Sequence, residues 1–314
     1  MKNLLVAFSI FSIALGLASC KQDAPQPKSI YDVLLEQEDL TFLRAAISHA
    51  GLNDAFKTSS LTLFAPTDDG FKAAGFADAA AITSMTPRQV QNLLKNHVIT
   101  QKQTVETTSI GLLNPTQMMS GARLFVSNVD RTLYLNQAKA SKMDLVATNG
   151  VVHIINRAIL PPHRTLGQIV AANPNFSLFR EALLRARQSD PRLTVFTDTS
   201  SRIPVEPAYT MFIPTNQAME ATGLTSTVIA NTSPILLARR VSYHIALSRF
   251  FSSLAPTGNL AMFDASFVTR LEAKNGALTI TEPSRPTTPA KATQVDITAT
   301  NGIIHIIDRV LTPQ

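Results

Sequence analysis

The 314-residue chain is 45% apolar and 16% charged, and it has no tryptophan. That apolar share can build real cores and excludes a disordered chain, while the length suggests two domains of ordinary size. The formal net charge is +6, yet residues 29–162 balance at 11 basic and 11 acidic side chains and residues 163–314 carry 14 and 10. So small a surplus does not point to nucleic acid, and leaves only a weak pull toward acidic polymers.

Met1-Lys2-Asn3 is a short basic start, followed by the apolar run Leu4 to Leu15. That run is too short to span a bilayer as a helix and fits the core of a signal peptide. It ends in Leu17-Ala18-Ser19-Cys20, which resembles the bacterial lipobox, whose cysteine becomes the lipidated first residue of the mature chain. Cys20 is the only cysteine, so no intramolecular disulfide can form. The expectation is a signal peptide over residues 1–19, lipid attachment at Cys20, and residence in the bacterial cell envelope, at the outer membrane. Residues 20–28 are polar with two prolines and read as a flexible tether.

Two domains follow, 29–162 and 163–314, because the rest of the chain occurs twice. In the first, an amphipathic stretch over Leu40 to Ala50 precedes Leu61-Thr62-Leu63-Phe64-Ala65-Pro66-Thr67-Asp68, and Gly75 closes that segment. This order reads as strand, proline stop, cap, short helix and glycine stop. Thr86-Pro87 opens a second amphipathic helix that runs to Asn96-His97. Ala147-Thr148-Asn149-Gly150-Val151-Val152-His153-Ile154-Ile155-Asn156-Arg157 then gives a strong hairpin signal at Asn-Gly, since both residues tolerate positive φ, followed by a buried strand.

The second half repeats each part. Tyr209 to Gly223 matches the first strand-cap-helix unit, Ser233-Pro234 opens the helix ending at Tyr243-His244, and Ala299 to Arg309 repeats the hairpin with only Val/Ile and Asn/Asp exchanges. His97 and His244 are 147 residues apart, and His153 and His305 are 152 apart. Such regularity means duplication of a whole domain.

With the motifs in this order, each half resembles the fasciclin domain, also called the fasciclin I or beta-Ig-H3 domain. The resemblance implies an α+β architecture of two tandem β-sandwiches decorated by helices. It also implies a secreted or membrane-anchored protein that adheres to cells, matrix or polysaccharide. Two departures matter. The family's Tyr-His pair is Tyr243-His244 in the second domain but Asn96-His97 in the first. The Glu-Pro-Asp-Ile-Met stretch implicated in integrin binding in some animal members reads Lys142-Met143-Asp144-Leu145-Val146 and Gln294-Val295-Asp296-Ile297-Thr298 here, so integrin recognition is not carried over.

Little points to catalysis. No nucleophile elbow, phosphate-cradling loop or dinucleotide fingerprint is present. The paired histidines belong to different domains, lack metal-ligand spacing, and read as buried structural groups. Asp68 and Asp69 open a helix and are better explained as capping and dipole partners than as an acid–base pair. Met118-Met119, Phe250-Phe251, Phe263 and Phe267 read as packing, and Arg239-Arg240 as a solvated helix face. No catalytic, cofactor-binding or metal-binding residue and no cofactor is therefore assigned. The expected function is a non-enzymatic adhesion or binding module for a glycan or protein, the alternative being an envelope-polymer hydrolase or an accessory of polysaccharide handling.

The domains differ most between the first helix and first strand. In the second domain Gln188 to Ala208 runs about ten residues longer than its counterpart, with Arg192, Arg202 and three prolines around Leu193 to Thr197, which reads as extended. Since residues absent from one copy are not demanded by the shared scaffold, Arg192 and Arg202 are the expected partner contacts. Replacing 189–206 is expected to leave stability unchanged.

Overall fold

Well-capped short helices alternating with β-branched runs set the order of elements in the computed structural model, which describes residues 28–58, 60–200, 208–274 and 277–313. In the first domain the helices are α1 (Ile30–Leu35), α2 (Thr41–His49), α3 (Ala55–Thr58), α4 (Asp68–Ala73), α5 (Ala79–Thr83) and α6 (Pro87–Lys95). Its strands are β1 (Leu61–Pro66), β2 (Val98–Ile99), β3 (Gly111–Gln117), β4 (Arg123–Val129), β5 (Thr132–Leu135), β6 (Ala138–Ala147) and β7 (Gly150–Ile155). They form one mixed sheet, β2-β1-β7-β6-β5-β4-β3, in which β1 and β7 run parallel.

The second domain repeats this plan. Its helices are α7 (Leu166–Ala172), α8 (Ser177–Ala186), α9 (Asn216–Glu220), α10 (Ser226–Asn231) and α11 (Pro234–Ser242). Strands β8 (Tyr209–Pro214), β9 (Ile245–Ala246), β10 (Gly258–Ala261), β11 (Val268–Lys274), β12 (Ala277–Thr281), β13 (Ala290–Ala299) and β14 (Gly302–Ile307) give the order β10-β11-β12-β13-β14-β8-β9.

Strand alternation divides each domain's core in two. In the first domain Leu63, Val152 and Ile154 face the helices and pack with Leu43, Ile47, Phe71, Val90 and Leu94. Phe64 and Ile155 face the other way, onto Leu124, Val126, Leu133 and Leu135 from the far end of the same sheet. Residues of β4 and β5 reach β1 and β7 because β6 carries two register shifts, with Asp144 at φ 56° inside the second. Bulges bend a strand, so a single sheet folds over and encloses its own second core. β13 does the same, with Asp296 at φ 62°. Each domain is thus a sandwich made by one curled sheet with helices on one face, an α+β fold.

The repeated Asn-Gly joins β6 to β7 and β13 to β14, as the hairpin signal implies, but for a different reason. The two-residue loop is Thr148-Asn149, since Ala147 pairs with Gly150, and Asn149 is not at positive φ. Asn149 acts through its side chain: Oδ1 accepts from the Ile30 backbone N–H at 2.7 Å, and Nδ2 donates to the Phe56 carbonyl. Asn301 Oδ1 accepts from the Leu166 N–H at 2.8 Å in the same way, so each asparagine ties the domain's first helix to its last hairpin. The glycines are there for close approach. A Cβ on Gly150 would lie 1.9 Å from the Leu61 carbonyl oxygen, and one on Gly302 2.4 Å from that of Tyr209.

The capping aspartate also differs in role. Thr67 caps α4 through the Gly70 N–H, whereas Asp68 reaches across to α2, accepting from the Phe42 N–H at 2.8 Å and the Thr41 hydroxyl at 2.6 Å. Asn216 takes the equivalent place on α8, accepting from the Leu178 N–H. Asp69 pairs with Lys72 one turn on, so the two adjacent acids do not face each other over a cleft.

The long segment before β8 corrects two expectations. Residues Pro191–Phe196 form a 3-10 turn capped by Asp190, not an extended stretch. Leu193 and Phe196, three residues apart and hence on one side of such a turn, are fully buried among the residues of the second domain's helix-side core. The segment therefore belongs to the scaffold in part, and stability will not survive its removal unchanged. Gly167 lets α7 approach it, since a Cβ there would meet the Asp198 carbonyl oxygen at 2.3 Å.

Candidate functional site

The outer face of that segment is where charge and aromatic rings collect. Arg192 donates from Nε to Asp190 Oδ1 at 2.9 Å and from Nη2 to Oδ2 at 2.7 Å, a two-pronged pairing that fixes the guanidinium plane. The same guanidinium lies 5.1 Å from the centre of the Phe263 ring. Below it Phe263, Phe196 and Tyr209 pack edge-to-face or tilted at 4.9–5.9 Å. Arg239 covers Phe267 similarly at 5.4 Å.

Asp264 stands between the two arginines. Its carboxylate accepts from the Ser266 hydroxyl and N–H, and with Arg192 and Arg239 nearby this holds its pKa below the usual carboxylate range. The Arg192 hydrogen bonds lower Asp190 likewise. The result is an exposed surface of alternating fixed charges over an aromatic floor. With 66% of the Arg192 side chain still exposed, its outward N–H groups can donate to hydroxyls or carboxylates of a partner. Cys20 and Arg202 lie outside the described residues.

The sequence singles out Arg192 because of the added length around it, but not Asp264, Phe263, Phe267 and Arg239, which arrive from a β-loop and from α11. The signal available for them was weak: Phe263 and Phe267 read as packing, and both are buried.

The four paired histidines are fully or almost fully buried and serve two structural roles. His97 sits at the end of α6, where Nδ1 donates to the Leu93 carbonyl at 2.9 Å and Nε2 accepts from the Ile159 N–H at 2.8 Å. His244 makes the same pair of bonds with the Arg240 carbonyl and the Leu311 N–H. Each ring thereby fastens a helix end to the domain's last segment, and burial pushes both down to about 4. His153 and His305 carry the opposite tautomer, since Nδ1 accepts from the Asp144 or Asp296 N–H at 3.2 Å. His153 Nε2 donates to the Gln103 carbonyl at 2.9 Å, and burial lowers its pKa. His305 packs against both Phe212 and Phe250, which also touch each other, and burial pushes it down to about 4. These rings hold the bulges in place, and the structure does not bring them together. Among the described residues no three His, Cys, Asp or Glu side chains are grouped to hold a metal.

Met118 is core and Met119 partly exposed. Phe250 and Phe251 are buried near the contact between domains, where Arg249 lies 4.5 Å over the Phe125 ring. No described helix is long and apolar enough to cross a membrane.

The model of the Fasciclin domain matches residues 38–161 and again residues 174–313. The chain belongs to the fasciclin family. A cyanobacterial relative, Protein sll1483 of Synechocystis, is 31% identical over 137 residues, which is 43% of this chain and 74% of that protein. The transforming growth factor-beta-induced protein ig-h3 of pig is 31% identical over 139 residues, 44% of this chain and 20% of its own length, and its rabbit counterpart 26% identical over 81% of this chain and 33% of its own. The chain thus spans a minor part of these animal proteins. The solved FAS1 domain pair of the insect cell adhesion molecule Fasciclin I matches at 18% identity and a TM-score of 0.40, covering 86% of this chain and 95% of that one. Fasciclin domains are typically cell-adhesion or binding modules.

Proposed function

We propose that this protein is a non-enzymatic adhesion or binding module of the bacterial cell envelope, held at the outer membrane by a lipid on Cys20. It recognises a glycan or an envelope protein through exposed surface on its second domain. The single observation that carries this reading is the fasciclin match over both halves of the chain. The lipobox-like Leu-Ala-Ser-Cys and the polar tether behind it supply the anchor. The surface around Arg192 supplies prearranged donors that lose little side-chain freedom on binding, because Asp190 and Phe263 already hold the guanidinium. Arg202 is assigned to the same surface from its place in the added segment.

Two measurements test the reading. Cell fractionation of Cys20→Ala is expected to release the protein from the membrane fraction; retention that still needs detergent would place the anchor elsewhere. Pull-down from envelope extract is expected to capture a glycan or protein with the parent chain and to lose it with Arg192→Ala at unchanged melting temperature. Equal capture by that variant would remove the second-domain surface from recognition.

A further inference from the structure

The duplication provides an internal control, because most positions of the second domain's helices and strands have a counterpart in the first. Across the α9–α11 face the second domain opens a groove of about 300 Å³ lined by Leu224, Val228, Thr232, Leu236, Arg239 and Arg240, with Thr312 and Pro313 at one side. The helix caps Asp78 with Thr225 and Thr86 with Ser233, and the glycines Gly75 with Gly223, align the two copies here. The counterparts are then Phe76, Ala81, Met85, Gln89, Asn92 and Leu93.

The exchanges run in one direction. Phe76 and Met85 are bulky and pack against the first domain's core; Leu224 keeps a core place but is smaller than Phe76, and Thr232 is smaller than Met85, which leaves room for the groove. Ala81 and Gln89 become Val228 and Leu236, which stand 43% and 59% exposed, so apolar area rises on a surface where the first domain keeps a small or polar residue. Asn92 and Leu93 become two arginines, and none of the groove's lining residues is acidic. The first domain folds without these residues, and although Leu224 and Arg239 also pack within the second domain, nothing in that packing asks for exposed Val228 and Leu236 beside Arg240.

We infer that this groove binds a small amphiphilic anion, a carboxylate on a short apolar chain. The chain would lie against Leu224, Val228 and Leu236, and the carboxylate would meet Arg240, with Arg239, whose guanidinium already lies over Phe267, adding positive charge at the rim. The volume sits at the lower end of small-molecule sites, which run from about 300 to 1,000 Å³. A charge-assisted contact to guanidinium beside apolar wall favours such a head and tail together over either alone. The site does not depend on the adhesion reading: the groove can take its ligand whether or not the protein binds an envelope polymer.

The test is isothermal titration of the chain from residue 21 onward, which keeps every described residue, with decanoate below its micellar concentration. One saturable site is expected, with decanol and acetate weaker by at least about tenfold each, because each lacks one half of the contact. Thr232→Met and Arg240→Leu restore the residues of the first domain, so folding is expected to persist and is checked by melting temperature. Each is expected to weaken decanoate at least about tenfold. Sedimentation with phosphatidylcholine vesicles carrying oleate separates the sources of the carboxylate: pelleting lost in the same two variants assigns the groove to a membrane-held fatty acid. Absence of saturable decanoate binding together with vesicle binding indifferent to both variants would overturn the inference. So would undiminished decanoate binding by the folded double variant.

Discussion

His97→Gln isolates what the buried ring contributes to acid sensitivity. In the folded chain His97 is wholly enclosed, accepts a hydrogen bond at Nε2 from Ile159, and titrates at about 4 instead of 6.5. Unfolded, the ring takes its proton near its ordinary pKa, so the unfolded state gains protons first as pH falls. The stabilisation is therefore fully present above about pH 6.5 and drains away between there and about pH 4. The two values imply a loss of about 2 kcal/mol on going from about pH 7.5 to pH 5, and about 3 kcal/mol by pH 4. Glutamine offers an acceptor to Ile159 and does not titrate. Urea unfolding followed by circular dichroism across this range is expected to show the parent's first domain losing about 2 kcal/mol more than the variant's by pH 5. His153, also lowered by burial, stays in both and leaves a common residual slope. The mild window matters, because most carboxylates titrate lower. Identical pH dependence in parent and variant, or a flat parent curve, would refute the bridging role assigned to this ring.

Phe196→Ala is expected to destabilise the second domain by about 3–5 kcal/mol, as for other fully buried phenylalanines, in thermal or urea unfolding, while leaving the first domain's transition in place; a change within about 0.5 kcal/mol would return that segment to the class of dispensable loops. Gly150→Ala is expected to cost about 2–4 kcal/mol, since its Cβ would strike the Leu61 carbonyl, and a tolerated alanine would mean β1 and β7 can separate locally. Asn301→Ala should loosen α7 from the last hairpin, at about 1–3 kcal/mol for a buried N–H left without its acceptor, with faster amide exchange at Leu166 as the direct readout.

The scaffold was legible in the sequence because its signals are local and stated twice. Pro66 and Pro214 end strands, Thr67 and Thr215 cap helices, and His153 and His305 fall in apolar runs that bury them. Roles that depend on distant partners were not legible. Asp68 reads as the cap of its own helix yet caps α2, because only the fold brings Thr41 and Phe42 to it. Asn149 reads as a turn former yet binds Ile30, 119 residues away. The longer segment misled for a related reason: polar residues and prolines around Leu193 and Phe196 hide a spacing of three that suits a 3-10 turn, and the alternation test for a strand does not ask about it. Arg192 was identified from added length alone; the rings and acids that set its geometry come from elsewhere in the chain.

A binding module of this kind holds an envelope component without transforming it. The chain from residue 21 onward, presented to an array of envelope polysaccharides and envelope proteins, tests that claim most directly when retention and released reducing ends or peptides are scored together. Saturable retention on at least one partner is expected, weakened by Arg192→Ala, with no fragments released. Fragment release that grows with time would contradict it, and so would a folded protein retained by nothing on the array.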